Sequence, residues 1–408
     1  MIYENTKISA VDIIIIIAMI LLVIAGLVSI YSAVHASGLS ELHANFSRQI
    51  LWFAVGVVFF VCTTFLSIRL ISDVSYWIYF FTLVLLASTL FAGAGAGVQR
   101  WLVIGPVQFQ PAEFCKIGVV LALAKYLSTE NRDLNRPSHI FMSGLIVLLP
   151  VLLLLKQPDL GTALVFISLI LPVIFWAGLP LHLMAILLAP CISMIASFHY
   201  YSFFAAMIFI ALVFALFRRG LKFLLGNMVV NIAVAVTTPF LWNALHAYQK
   251  HRILTFLGME LDVHGSGYQL IQSKVAIGSG GLLGKGFLEG TQTQLRFLPA
   301  QHTDFIFSVI GEEFGFVGIF LILLLFYFII IRGIHVAFNC RNKFASLMSI
   351  GAASVIAIHV IINTGMTVGV MPVTGIPLPL ISYGGSSLMT NMILIALIIN
   401  ASMRRYHI

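Results

Sequence analysis

The sequence predicts an all-α, polytopic membrane protein of about 10–12 transmembrane helices with one large extracytoplasmic loop, residues 247–303, that holds short or re-entrant helices. Three observations predict it. Hydrophobic residues make up 61 % of the chain and charged residues only 9 %, against roughly a quarter charged in soluble proteins. Apolar runs of about the 20 residues that a bilayer crossing needs recur along the whole length. One long polar segment, Tyr248 to Gly318, interrupts them. The 408 residues therefore measure crossings rather than soluble domains, and the chain, 1–408, reads as a single transmembrane domain.

In chain order the runs lie at 11–33, 48–66, 76–93, 111–127, 140–156, 160–178, 183–199, 201–217, 225–246, 304–331, 345–369 and 385–402. The first is too long for a signal-peptide core, and no small-residue cleavage site follows it, so it is read as a permanent span. The fourth opens on Pro111, whose missing N–H is harmless in a first helical turn. The runs within 183–217 form a hairpin of two short crossings. Before the last span, PVTGIPLPLISYGGSS (372–387) carries too many prolines and glycines to continue a helix. Irregular backbone at membrane depth survives only where it is buried or lines a cavity, so this stretch is predicted to be a re-entrant wall beside the polar loop.

The formal net charge is +8. No basic stripe or aromatic platform accompanies it, which argues against nucleic acid. With a cytoplasmic N-terminus, thirteen of the 22 Lys and Arg fall on the inner side, including RRGLK (218–222), Arg332, RNK (341–343) and MRR (403–405). Positive residues mark cytoplasmic loops, so both termini are predicted inside and segment 247–303 outside. Cys62, Cys115, Cys191 and Cys340 are scattered without CxxC spacing. The first three are read as small hydrophobes in packed helices. The 12 histidines show no HExxH or paired spacing, which argues against a structural zinc.

GSGGLLGKG (278–286) superficially matches a phosphate loop. The first Gly of that motif falls on Ser279, and Gly286 stands where Ser or Thr should hold Mg²⁺. The glycines are read instead as tight-turn positions.

Several charged residues sit where lipid makes an unpaired charge cost several kcal/mol or more. Glu113 and Lys116 are three apart and share a helix face. They form either a structural ion pair near the interface or the polar floor of a site for an amphiphile. Asp159, in KQPDLGT (156–162), is placed to cap the next helix and to line the same cavity. His302 and Asp304 stand together at a helix entrance, where capping by Thr303 or Asp304 accounts for half the motif. Glu312 and Glu313, inside an apolar run, require polar partners from a neighbouring element.

Four stretches together carry a resemblance: QPAEFCK (110–116), KQPDLGTA (156–163), residues 265–318 beginning GSGYQLIQSK and ending GEEFGFVG, and PVTGIPLPLISYGGSS (372–387). In these motifs and their order the chain resembles the SEDS family of shape, elongation, division and sporulation proteins. GTQTQ (290–294) and TGIPLPLISYGG (374–385) are more similar to its elongation (RodA) branch than to its division (FtsW) branch. The resemblance implies a peptidoglycan glycosyltransferase that polymerises lipid II at the outer membrane face beside a class B penicillin-binding protein and other elongation-complex proteins. It also implies that the key acid is Asp262, shortly before GSGYQLIQS. The chain departs from the family pattern at Val263, where Pro usually follows the acid, and at Gln301, where Glu is usual. It departs as well in reading as twelve spans instead of ten.

The chemistry that such a reaction needs is available. Diphosphate leaves without acid help once its charge is neutralised, while the acceptor hydroxyl needs a general base, typically for a factor of about 10² to 10⁴. Asp262 is the candidate base, or the ligand of a divalent cation such as Mg²⁺ or Mn²⁺. Lys116, Lys274 and Arg296 are candidates to neutralise diphosphate. Glu113, Asp159, His302 and Asp304 complete the candidate substrate-binding set. Two other classes fit membrane helices with buried charge: a flippase or transporter of a lipid-linked sugar, and a non-catalytic scaffold of the wall-building complex.

Overall fold

The computed structural model describes residues 9–35, 40–93, 100–104, 107–129, 134, 136–217, 220–259 and 265–405. Asp262 and Val263 lie outside the described residues, as do Lys7, Arg132, Arg218 and Arg219 of the charge tally.

Among the described residues, nine helices precede the polar segment: α1 (Ala10–His35), α2 (Ser40–Phe65), α3 (Ile68–Ala92), α4 (Pro111–Ser128), α5 (Pro137–Lys156), α6 (Leu160–Trp176), α7 (Leu181–Ala196), α8 (Tyr200–Leu216) and α9 (Leu221–Ala244). Three short ones lie within it: α10 (Ala247–Phe256), α11 (Ser266–Ser279) and α12 (Thr291–Gln294). Then follow α13 (Ile306–Asn339), α14 (Lys343–Val368) and α15 (Gly385–Met403). Among the described residues, eight of these helices are long and apolar enough to cross a membrane, and α6, α7 and α8 are shorter apolar helices. The charged α4 is as long as a span, and its Glu113 and Lys116 are buried. The chain is a multi-pass membrane protein.

α14 and α15 form the centre, with 83 % and 94 % of their spans buried against 17 % for α9. Around them pack α1 with α13, α2 against α15, and α4 and α6 against α14. α7, α8 and α9 form a peripheral limb with its own small core of Ala189, Ile210 and Phe214. A buried polar contact holds that limb, as Ser193 Oγ donates to Asn231 Oδ1 at 2.8 Å.

Three sequence expectations need correction, and one element was not expected. α13 runs to Asn339, beyond the expected end at 331, because Arg332 is no loop cation. It is buried and donates to Asp12 Oδ1 at 3.2 Å and to Ser402 Oγ at 3.1 Å, so its charge is satisfied inside the bundle. Packing as a small hydrophobe holds for Cys115, whereas Cys62 and Cys191 are exposed on the helix surface. Neither Thr303 nor Asp304 caps α13, whose N-cap is Phe305. Finally, a two-stranded antiparallel hairpin, β1 (Leu102–Ile104) with β2 (Val107–Phe109), stands just before α4. Three-residue strands are too short to leave a periodic signal.

A non-helical wall is present: residues 371–384 form no helix, yet Val373, Ile376, Leu378, Leu380 and Ile381 are buried. Asn363 on α14 pins it, donating through Nδ2 to the carbonyls of Ile376 at 2.8 Å and Asp304 at 2.9 Å. The glycine-rich stretch 278–286 packs against a kink in α13 at Gly315. Lys285 N–H donates to Glu312 O at 3.0 Å, and Gly286 N–H to Glu313 O at 3.1 Å.

Candidate active site

A cavity of about 320 Å³ opens where α4, α6, α14, the β-hairpin, the 302–304 segment and the non-helical wall meet. Each charged residue is brought there by a local feature. Pro111 starts α4, so Glu113 falls in its first turn, where the helix dipole favours an anion. Lys116 follows one turn later on the same face. Asp159 caps α6, accepting from the Thr162 N–H at 3.2 Å and the Thr162 hydroxyl at 2.9 Å. α6 then crosses the wall closely, since a Cβ on Gly161 would stand 2.7 Å from the Thr374 carbonyl oxygen.

The floor of the cavity is a buried charged trio. Lys116, 1 % exposed, donates from Nζ to Glu113 Oε1 at 2.6 Å. The same nitrogen lies 2.8 Å from His359 Nε2 on α14. His359 Nδ1 is 2.8 Å from the Val355 carbonyl oxygen. A carbonyl only accepts, so Nδ1 carries the proton and Nε2 of the neutral ring accepts from the lysine. Glu113 Oε2 is buried without a partner.

Nearer the loop side, Arg100 Nε lies 3.5 Å from Asp159 Oδ2, and its Nη2 donates to Pro158 O at 2.9 Å. Asp304 is half-buried beside the Arg252 guanidinium of α10. Burial raises its carboxyl above the ordinary range, and Arg252 and the Thr303 hydroxyl only partly oppose that. Burial lowers the His302 imidazole, which keeps it neutral near pH 7. The His302 ring lies 5.7 Å from the Tyr383 ring at an interplanar angle of 58°, and the Tyr383 N–H donates to the His302 carbonyl at 2.9 Å.

Of the sequence candidates, Glu113, Lys116, Asp159, His302 and Asp304 line this one cavity. Lys274 and Arg296 do not. Lys274 is exposed on α11 with its alkyl chain against Gly369, and Arg296 is exposed between α12 and α13. Arg100, Thr162 and His359 line the cavity and were not singled out in the sequence. His359 had a usable signal, since it sits four residues before Asn363 and so shares its helix face. Arg100 had none. Among the described residues, no group of three His, Cys, Asp or Glu could hold a metal ion. The cavity carboxylates are each approached by a cation instead, so these residues alone do not fit a divalent-cation site.

Glu312 and Glu313 lie elsewhere. Glu312 accepts from Lys285 Nζ at 2.8 Å, from the Gln292 N–H at 2.8 Å and from the Thr293 N–H and hydroxyl at 3.0 and 2.8 Å. The GTQTQ segment is thereby clamped onto α13. Glu313 accepts from the Ser32 hydroxyl of α1.

A second, largely apolar cavity of about 350 Å³ adjoins the first. It is lined by α6, α10 and the wall, among them Leu164, Ile167, Ile253 and Val373, and it shares Arg100 with the polar cavity.

Comparison with known proteins agrees with this architecture. The peptidoglycan glycosyltransferase MrdB of Escherichia coli strain K12 is 37 % identical over 349 residues, covering 85 % of this chain and 82 % of that protein. The peptidoglycan glycosyltransferase RodA of Treponema pallidum is 32 % identical over 97 % of this chain and 98 % of its own. Among solved structures, a chain of a peptidoglycan synthase complex that coordinates polymerization and crosslinking superposes with a TM-score of 0.72, at 32 % identity over 97 % of this chain and 98 % of that one. The rod shape determining protein RodA of Thermus thermophilus gives 0.63, at 29 % identity over 97 % of each. The cell cycle protein family model that spans FtsW, RodA and SpoVE matches residues 12–206 and 202–407, nearly the whole chain, and the chain belongs to that family.

Proposed function

We propose that this chain is an inverting peptidoglycan glycosyltransferase that polymerises lipid II into glycan strands for cell elongation, working at the outer face of the cytoplasmic membrane. Both termini lie in the cytoplasm. Its partners are a class B penicillin-binding protein, which crosslinks the product, and the other proteins of the elongation complex. The names of its relatives support the reaction, and the synthase complex among its structural neighbours supports the partner.

One observation carries the reading: a cavity with a charged floor adjoins an apolar groove through a shared arginine, Arg100. A lipid-linked sugar has this division, a polar diphosphate and saccharide joined to a prenyl tail. Lys116 and Arg100 neutralise the diphosphate, while Asp159, His302 and Asp304 order the polar head. Asp262, between α10 and α11, is assigned as the base on its position in the family motif. It takes the proton of the acceptor hydroxyl as that oxygen bonds to the anomeric carbon. The bond from that carbon to the diphosphate oxygen breaks, and its electron pair leaves with the diphosphate. Attack in one step inverts the centre. A Mg²⁺ or Mn²⁺ ion, if used, enters with the diphosphate and Asp262, and chelation with EDTA tests it.

The deciding experiment is reconstitution with fluorescent lipid II, with and without the transpeptidase. Glycan strands from the wild type and none from a folded Asp262→Asn variant are expected. Lipid translocation without polymer supports a flippase instead. Unchanged polymer and growth with Asp262→Asn leave a scaffold.

A further inference from the structure

We propose that His359 is a positioning residue, which aims Lys116 into the cavity and so sets the strength of its contact with the substrate diphosphate. The inference rests on the lipid-linked donor proposed above.

The geometry supplies the argument. An ammonium has three N–H donors. One of Lys116's goes to Glu113 Oε1 at 2.6 Å and one to His359 Nε2 at 2.8 Å. Among the described residues no acceptor takes the third, and Lys116 lines the cavity. Glu113 alone is a single tether from the same helix and leaves the four-carbon stem free to swing. His359 comes from a different helix and is itself locked, since Nδ1–H donates to Val355 O at 2.8 Å and the ring is 1 % exposed. Two acceptors from two helices fix where the third N–H points. The histidine adds no charge of its own, because its neutral tautomer accepts. The ammonium therefore keeps its positive charge for an anionic ligand. Charged hydrogen bonds depend steeply on distance and angle, so this aim sets the strength of the contact.

The test uses the full-length detergent-purified protein and undecaprenyl diphosphate as the titrated probe. Gln places its carbonyl oxygen near the position of Nε2, whereas the shorter Asn cannot reach it. His359→Gln should bind within about threefold of wild type. His359→Asn and His359→Leu should each bind about tenfold more weakly, the size of one charged hydrogen bond. Lys116→Gln should lose as much, and adding His359→Leu to it should cost nothing more, because the histidine acts through the lysine. Equal binding by the Gln and Asn variants overturns the proposal, and so does a full additional loss in the double variant. Should the Leu variant fail to fold, the Gln and Asn pair decides alone. Polymerisation of lipid II is scored separately. A wild type that binds the probe with this pattern yet makes no polymer removes the glycosyltransferase reading and leaves the role of His359 standing. Polymer without the pattern does the reverse.

Discussion

Lys116 and Glu113 show what burial does to a charge. At 1 % and 3 % exposure neither side chain has water to fall back on, so each depends on the other. Removing one partner of such a pair typically costs about 3–5 kcal/mol, because the survivor is left buried and uncompensated. Glu113→Gln should accordingly lower the thermal midpoint in detergent by several degrees. The double change Glu113→Gln with Lys116→Gln should recover part of that loss while polymerisation stays absent. Asp304 makes a second residue-scale prediction. Its folded value is raised by burial, so the carboxyl favours the fold when protonated. That stability is present below the unfolded value and is lost as pH rises through the folded one. Asp304→Asn removes the titration. Its midpoint relative to wild type should climb between pH 4 and pH 8, and a flat difference across that range would contradict the burial argument.

Two contacts at the element scale are testable. Glu312 holds the GTQTQ segment by side-chain and backbone donors at once. Glu312→Ala leaves those donors without their carboxylate, at about 1.5–3 kcal/mol for each charged hydrogen bond that water does not replace. Limited proteolysis should then cut within residues 281–300 well before the rest of the chain. Gly284 packs where any Cβ would overlap the Glu313 carbonyl, and its φ of +83° lies in the region that favours glycine. Gly284→Ala should reduce folded yield more than any surface substitution on α11. The limb of α7 to α9 depends less on such fits. Asn231→Leu there removes a polar contact worth about 0.6 kcal/mol by measurements between membrane helices, too little to unfold it.

For the molecule as a whole, everything turns on sidedness. The candidate cavity adjoins the 247–303 segment, so an enzyme acting on an outer-leaflet donor needs that segment outside. Leu283 is 80 % exposed in the segment, and Phe338 is 79 % exposed at the far end of α13. In a background without Cys62, Cys115, Cys191 and Cys340, Leu283→Cys should react with an impermeant maleimide in intact cells. Phe338→Cys should react only after permeabilisation. The opposite pattern removes the outer-face enzyme.

The sequence by itself determined the order of the apolar helices and most of their ends, although α2 and α3 begin at Ser40 and Ile68 rather than at 48 and 76 and α13 ends at Asn339 rather than at 331. Those properties follow from apolar run length, from the proline at 111 and from the proline-rich wall, all of which act within a few residues. It also carried five of the cavity residues, since Glu113, Lys116, Asp159, His302 and Asp304 are polar groups that lipid does not tolerate alone. Tertiary structure decided what those groups meet. The pairing of Lys116 with His359 joins residues 243 positions apart, and that of Asp12 with Arg332 joins residues 320 apart. No local pattern specifies such pairs, because the helix packing that creates them depends on side-chain shape along whole spans. The exclusion of Lys274 and Arg296 from the cavity has the same origin: a cation's type is local, and its direction is set by how the backbone that carries it packs on the bundle.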